Sequence, residues 1–218
     1  MTQANLITLT TPRAQASEAY RALRTNLTFS GLEDPIHTLV VTSPAPEEGK
    51  STTLANLAVT FAQSGKKTVI VDCDLRHPSQ HTIWGVAQQP GLTDMMLEGL
   101  KKLPLVDVGV ENLSLLPSGS LPPNPADLLG SQRMDAVIKQ LKGEADVVLF
   151  DAPPVIAVTD ATLLATKLDG VLLVFRAGGT RRDHAERAKE LLERVNARLV
   201  GAVLTNAQVD VRMGGYYA

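Results

Sequence analysis

The sequence predicts an α/β protein of three layers, in which a mostly parallel central sheet carries helices on both faces. Five short apolar runs lack polar alternation, as expected of strands that are buried on both sides. Helical segments alternate with these runs, which is typical of βαβ units with right-handed crossovers. The predicted strands are residues 38–42, 68–71, 147–150, 171–175 and 199–204, with a weaker candidate at 113–116.

The segments between the predicted strands contain two clear helices. Apolar residues recur at helical spacing from 51 to 64 and from 181 to 196, and Gly65 is a natural end for the first helix. Thr180 with Asp183 resembles a capping box at the start of the second helix. Residues 117–131 are rich in proline and glycine, which predicts a surface loop with a short helix. Residues 210–218 show no periodicity and predict a flexible tail, so we expect one domain over 1–218.

Composition narrows the class of protein. The 218 residues, 44% of them hydrophobic, are enough for one well-buried core. The formal net charge of −2 argues against a nucleic-acid partner. The single cysteine, Cys73, excludes an intrachain disulfide and is typical of a reducing compartment. No apolar run approaches the ~20 residues of a membrane helix, and no secretory signal is evident, so we predict a cytoplasmic location.

A phosphate-binding loop is predicted between the first strand and its helix, at residues 43–52 (SPAPEEGKST). Backbone N–H groups and the helix N-terminus there favour an anion. Lys50 is predicted to neutralise the β- and γ-phosphates of ATP, and the Ser51 hydroxyl to ligate Mg²⁺. Pro44 replaces the first glycine of the usual G-x-x-x-x-G-K-[ST] pattern. The predicted ATP-binding residues in the loop are Pro46, Glu47, Glu48, Gly49, Lys50, Ser51 and Thr52.

Acidic residues follow two other predicted strands. Asp72 and Asp74 come after the second strand, and Asp151 comes after the strand at 147–150. Ligands of open α/β sheets bind at the carboxyl ends of the strands, so these carboxylates should meet the phosphate loop. Mg²⁺ prefers oxygen ligands, and we expect Ser51, Asp72 and Asp151 to hold it. Whether Asp72 or Asp74 contacts the metal directly is left open.

Together, the phosphate loop, the segment VDCDLRHP (71–78) and the segment VVLFDAPP (147–154) resemble the bacterial tyrosine kinases of capsule and exopolysaccharide synthesis, which have a P-loop NTPase fold. The resemblance covers almost the whole chain. Glu18, Arg21 and Arg24 fit the E-x-x-R-x-x-R motif of this family, which mediates ring-like self-association. Tyr216 and Tyr217 are similar to a short form of the family's C-terminal tyrosine cluster, the target of autophosphorylation.

The resemblance implies an ATP-dependent protein-tyrosine autokinase that regulates polysaccharide synthesis and export by phosphorylating tail tyrosines within or between subunits. Lys50, Asp72 and Asp74 would be its catalytic residues, with Asp72 as metal ligand or proton acceptor. Asn206, after the last strand, would read the adenine. Residues 1–30 would form an oligomerisation helix. The implied partners are other copies in a ring, a membrane-embedded co-polymerase that activates the kinase at the inner face of the membrane, and a cognate tyrosine phosphatase.

Some features depart from the family pattern or leave alternatives. Glu47 stands where a glycine is common, and its carboxylate would repel phosphate unless it points to solvent. The tyrosine-poor tail favours an alternative, an ATP-gated scaffold of an export complex with little kinase activity. Partition-type and septum-site ATPases carry an extra lysine where this chain has Ala45, and one cysteine cannot supply an iron–sulfur cluster. Arg76 is either a partner for phosphate or an acidic loop, or simply an exposed arginine.

Overall fold

A single sheet lies at the centre of the protein. The computed structural model describes residues 4–30, 35–100 and 102–207. Within them the strands are β1 (Thr38–Thr42), β2 (Thr68–Asp72), β3 (Val106–Asp107), β4 (Leu113–Leu116), β5 (Val147–Asp151), β6 (Gly170–Arg176) and β7 (Leu199–Thr205). Their order in the sheet is β3-β4-β2-β5-β1-β6-β7. The β3–β4 pair is antiparallel, whereas β1, β2, β4, β5, β6 and β7 run parallel to one another. The mostly parallel sheet is therefore confirmed.

Among the described residues, two helices precede the first strand and seven lie between successive strands. They are α1 (Ile7–Thr10), α2 (Gln15–Ser30), α3 (Lys50–Gln63), α4 (Gln80–Trp84), α5 (Leu92–Glu98), α6 (Pro125–Gly130), α7 (Gln132–Glu144), α8 (Asp160–Ala165) and α9 (Arg182–Glu193). The two helices predicted from apolar spacing correspond to α3 and α9, and α6 is the short helix expected in the proline-rich loop. No helix among the described residues is long and apolar enough to cross a membrane.

The differences from the sequence prediction have local causes. Within residues 4–30, the described part of the predicted N-terminal helix, the chain forms α1 and α2, with Pro12 in the turn between them. The two-residue strand β3 is too short to show a period. The predicted capping box was wrong, because the N-cap of α9 is Arg181 without a side-chain cap. The Thr180 hydroxyl instead donates to Glu48 in the phosphate loop, at 2.6 Å. The predicted tail lies outside the described residues.

Two apolar cores cover the two faces of the sheet, which confirms the three-layer architecture. Successive side chains of a strand point to opposite faces. On β5, Val148 and Phe150 accordingly join the core formed with α7, α8 and α9, while Val147 and Leu149 join the core formed with α2 and α3. Strands β1, β2 and β5 are buried along their whole length, as expected of apolar strands between two layers of helices. The prediction that β7 is buried on both sides was wrong, because β7 lies at the edge of the sheet and is partly exposed.

The register of the parallel strands determines which strand ends meet at the carboxyl edge of the sheet. Asp72, the last residue of β2, pairs with Asp151, the last residue of β5. Strand β1 lies on the other side of β5 and leads directly into the phosphate loop. The carboxyl ends of these three neighbouring strands therefore meet at one place, as the sequence predicted.

Candidate active site

The phosphate loop, residues 43–49, joins β1 to the N-terminus of α3. Gly49 caps α3 with a left-handed backbone (φ 88°). Glu47 also adopts a left-handed backbone, with φ 62°, and its side chain is exposed. A left-handed backbone favours glycine over residues that carry a Cβ. This explains why glycine suits position 47. Because the Glu47 side chain is exposed to solvent, its carboxylate does not oppose phosphate binding.

Glu48 fastens the loop to the rest of the fold. Glu48 is 5% exposed, and its carboxylate accepts hydrogen bonds from the Ala45 backbone N–H at 3.2 Å and from the Thr180 hydroxyl at 2.6 Å. The Thr205 hydroxyl, at the end of β7, donates to the Glu48 carbonyl at 2.8 Å. The side chain of Glu48 thus holds the loop, and a contact between this residue and a phosphate would have to come from its backbone.

Lys50, at the start of α3, is surrounded by acidic groups. Its Nζ donates to Asp74 at 2.9 Å and to Asp151 at 3.2 Å, and to the Ser51 hydroxyl at 3.1 Å. Burial acts to lower the pKa of Lys50, but the charges of Asp151 and Asp74 outweigh it and raise that pKa. Lys50 is therefore a buried cation, and the structure brings it together with Ser51, Asp74 and Asp151 as the sequence predicted.

Asp72 is fully buried beside this cluster. One carboxylate oxygen accepts from the backbone N–H groups of Ser79 at 3.0 Å and Gln80 at 2.9 Å, and the other accepts from that of Asp74 at 3.3 Å. Burial first, and then the charge of Asp151, raise the pKa of Asp72 to about 8. Without a metal cation beside it, Asp72 therefore holds a proton at neutral pH, unlike a free aspartate, whose pKa is about 3.9.

Gln80 is a member of the site that the sequence did not reveal. Its side-chain Nε2 donates to the Asp151 carboxylate at 2.8 Å and to the Ser51 carbonyl at 3.1 Å. Its Oε1 accepts from the Trp84 indole at 3.2 Å. Gln80 lies eight positions beyond Asp72 in no recognised motif. Only the tertiary structure brings it under the loop.

The donor set fits a magnesium nucleotide. No group of three or more histidine, cysteine or acidic side chains among the described residues is arranged to hold a metal ion alone. One hydroxyl and a few carboxylates beside a buried lysine are what Mg²⁺ needs when phosphate oxygens complete its shell. The N-terminus of α3 faces the same place. Of the other predicted contacts, Pro46 in the loop and Thr52 in the first turn of α3 are both exposed.

Comparisons with known proteins identify the family of this chain. The ParA family model, described as an NUBPL iron-transfer P-loop NTPase, matches residues 36–211. The chain is 40% identical over 217 residues to tyrosine-protein kinase YwqD of Bacillus subtilis, covering 99% of this chain and 92% of that protein. It is 35% identical over 221 residues to tyrosine-protein kinase CpsD of Streptococcus agalactiae, covering 100% and 95%.

Solved structures lead to the same family. The kinase domain of the Escherichia coli tyrosine kinase ETK superposes with a TM-score of 0.90 at 29% identity, covering 96% of this chain and 83% of that one. The chimerical protein CapA2B2 gives a TM-score of 0.88 at 37% identity, covering 91% and 88%. The chain belongs to the bacterial tyrosine-protein kinases. The septum site-determining protein MinD of Pyrococcus horikoshii, at 24% identity and a TM-score of 0.64, shares the fold alone.

In this tyrosine-kinase chain, Arg76 pairs with an acidic residue. Its guanidinium makes two hydrogen bonds, at 3.0 and 3.1 Å, to the carboxylate of Asp160 at the start of α8. Asp160 is fully buried, whereas 37% of the Arg76 side chain is exposed. Of the alternatives for Arg76, the contact with an acidic segment is the one present. Asp160 itself was not predicted, because nothing in the sequence places α8 beside the end of β2.

The E-x-x-R-x-x-R residues of the kinase lie along α2 and contact their own chain. Glu18 forms an ion pair with Arg21, which also donates to the Pro12 carbonyl at 2.7 Å. Arg24 donates to the Thr60 carbonyl of α3 at 3.0 Å. Each of the three side chains therefore has a partner within one subunit. Their predicted role at an interface between subunits stays a prediction.

The predicted adenine contact and phosphoacceptors lie at and beyond the end of β7. Asn206 is exposed, with a left-handed backbone (φ 55°), and follows Thr205, whose hydroxyl contacts the phosphate loop. This position is next to the nucleotide-binding loop. Tyr216 and Tyr217 lie outside the described residues.

Proposed function

We propose that this chain is an ATP-dependent protein-tyrosine autokinase that phosphorylates Tyr216 and Tyr217 in its own C-terminal segment, within or between subunits, and so regulates capsule or exopolysaccharide synthesis and export. The observation that carries the proposal is the contact of Lys50 with Ser51, Asp74 and Asp151 at the end of a phosphate loop. A chain with this cluster that is 40% identical to a tyrosine-protein kinase is best understood as a kinase.

In the proposed mechanism, the bound magnesium nucleotide supplies the phosphoryl group and a cation that offsets the charge developing on it. Lys50 exchanges a carboxylate partner for phosphate oxygens, and its raised pKa keeps it charged for this role. Ser51, Asp151 and Asp72 are the residues that would hold the Mg²⁺, and the exposed Asn206 would contact the adenine. Glu48 and Gly49 keep the loop in the shape that presents its backbone N–H groups.

Asp72 is the proposed acceptor of the tyrosine proton. Its pKa of about 8 belongs to the site without a metal cation, where the carboxyl already holds a proton at pH 7 and cannot accept another. A cation beside it would lower its pKa again, because a positive charge favours the ionised form. Asp72 therefore serves best as a positioning and accepting group in a loose transition state that needs little from a base.

The proposed setting is an assembly at the membrane. We place Glu18, Arg21 and Arg24 at the interface of a ring of copies. A membrane-embedded polysaccharide co-polymerase would recruit and activate the ring at the inner face of the membrane, and a cognate tyrosine phosphatase would reverse the phosphorylation. Support for this setting comes from family resemblance.

The test is incubation of the purified chain with Mg-ATP, with and without the membrane activator, followed by intact-mass measurement. A gain of one or two phosphates is expected. Lys50→Met should abolish it, because the loop loses its cation, and the double variant Tyr216→Phe/Tyr217→Phe should abolish it by removing the acceptors. Tyr20→Phe removes the one tyrosine outside the tail and should leave the gain unchanged. ATP turnover without any mass gain would refute the kinase and favour the ATP-gated scaffold.

A further inference from the structure

Gln80 touches three elements of the site at once. It is fully buried at the start of α4. Its backbone N–H donates to Asp72 at the end of β2, at 2.9 Å. Its side-chain Nε2 donates to Asp151 at the end of β5, at 2.8 Å, and to the carbonyl of Ser51 in the first turn of α3, at 3.1 Å. One residue therefore connects both acidic strand ends to the helix that follows the phosphate loop.

Trp84 determines which end of the Gln80 amide faces the site. The indole N–H is a donor only, and it points at Oε1 of Gln80 from one helical turn further along α4, at 3.2 Å. The amide oxygen must therefore face the indole, and the NH₂ group must face the carboxylate. Both protons of that NH₂ group have acceptors. Because Trp84 is only 4% exposed, the amide is enclosed as well as hydrogen-bonded.

The contacts of Gln80 fix the orientation of the Asp151 carboxylate. Its Oδ2 accepts from Gln80 and its Oδ1 accepts from Lys50 at 3.2 Å, so the plane of the carboxylate is fixed by two partners of different kinds. Lys50 brings a positive charge to Asp151. The Gln80 amide is neutral, so it orients the carboxylate without taking the place of a metal cation. A carboxylate held on one oxygen by a neutral donor keeps its other oxygen available in a defined direction.

We propose that Gln80 is a positioning residue for the metal–nucleotide complex, with Trp84 as its support. It orients Asp151 and the first turn of α3 and does not itself touch the nucleotide. This inference rests on the magnesium-nucleotide site of the proposed function but not on the kinase step. A purely structural role, in which Gln80 only fills space beneath the loop, predicts a change in stability alone.

The test compares ADP affinity with and without Mg²⁺, measured by calorimetry on the full chain. Gln80→Met keeps the length of the side chain and removes its polar atoms. It should reduce the gain in ADP affinity that Mg²⁺ provides by about tenfold, the lower end expected for losing a hydrogen bond to a charged group. Affinity for ADP without Mg²⁺ should change by less than about threefold, because the loop and Lys50 remain.

Trp84→Phe gives an independent variant, since it keeps an aromatic ring at this position and removes the indole N–H together with the rest of the five-membered ring. It should reduce the Mg²⁺-dependent gain in the same direction by about threefold, because the amide of Gln80 becomes free to rotate. The matched control is Gln88→Met. Gln88 is partly buried, and its side chain, like that of Gln80, is hydrogen-bonded, but it donates to the Gly119 carbonyl at 2.8 Å; this change should leave the gain as it is.

The outcomes separate this inference from the proposed function. An unchanged Mg²⁺-dependent gain in Trp84→Phe and Gln80→Met would overturn it, and so would an equal loss of affinity with and without Mg²⁺. If Gln80→Met does not fold, Trp84→Phe decides the matter alone. A wild-type chain whose ADP affinity gains nothing from Mg²⁺ would also overturn it. A wild-type chain that binds Mg-ADP but never gains phosphate refutes only the kinase.

Discussion

Replacing Arg76 by alanine should destabilise the protein, even though this residue lies partly in solvent. The change removes two hydrogen bonds from Asp160, whose side chain is fully buried, and leaves a carboxylate in the interior without the guanidinium. Removing one partner of a buried pair costs about 3–5 kcal/mol. Since 37% of the Arg76 side chain is exposed, water can replace part of the interaction, so we expect a smaller loss of about 2–3 kcal/mol.

Urea unfolding at pH 7, without nucleotide, measures this loss. Trp84, the single tryptophan, supplies the fluorescence signal. With an m-value of about 2 kcal/mol/M, the midpoint should fall by about 1 M. Arg76→Lys keeps the charge but not the planar fork and should lose about half as much. The control is Arg182→Ala, which breaks a pair with Glu186 in which 93% of the arginine side chain is exposed, and no measurable loss is expected.

A double-mutant cycle supplies the refutation. Asp160→Asn removes the buried charge, so Arg76→Ala should cost much less in that background than in the wild type. If the two changes are additive, or if Arg76→Ala alone shifts the free energy of unfolding by less than about 0.5 kcal/mol, the buried carboxylate does not depend on Arg76 and the reasoning fails.

Two further predictions concern the site itself. The pKa of Asp72, raised to about 8, means that the folded state holds an extra proton between the unfolded and folded pKa values, so its contribution to stability is lost as pH rises through that window. The free energy of unfolding of Asp72→Asn, relative to that of the wild type, should therefore rise by more than about 1.4 kcal/mol between pH 5 and pH 9. Urea unfolding at several pH values measures this difference, and a difference that does not change with pH would contradict the reasoning. Glu47→Gly relieves a left-handed backbone at φ 62° and should raise the free energy of unfolding by about 0.5–1 kcal/mol. Asn112→Gly, also at φ 62°, is the control and should gain less, because asparagine tolerates this backbone, and equal gains would argue against the explanation.

The parts of the fold that the sequence predicted are those governed by local pattern. Continuous valine, isoleucine and leucine runs identified β1, β2, β5 and β6, since strands buried on both faces must be apolar throughout. The same kind of run identified β7, although β7 lies at the edge of the sheet and is partly exposed. Gly-Lys-Ser after the first strand identified the phosphate loop. Strand β3 was not predicted, because two residues are too few to show an alternation of apolar and polar side chains. Helix α4 was not predicted either, because five residues are too few to show a helical repeat of apolar side chains. The capping box failed because Thr180 is used in a contact with Glu48, 132 positions away.

The sequence by itself determined the class of fold, the position of the phosphate loop and the acidic strand ends, because spacing and composition encode which residues enter strands and where those strands stop. Only the tertiary structure decided the partners of those groups. It placed Gln80 between Ser51 and Asp151 and Asp160 against Arg76. It also placed Arg24 of α2 against α3 of the same chain. It also raised the pKa of Asp72, because burial beside a second carboxylate depends on the register of β2 with β5. Hydrogen bonds between segments that are distant in the sequence do not produce a periodic pattern of residues, so they cannot be predicted from local sequence patterns.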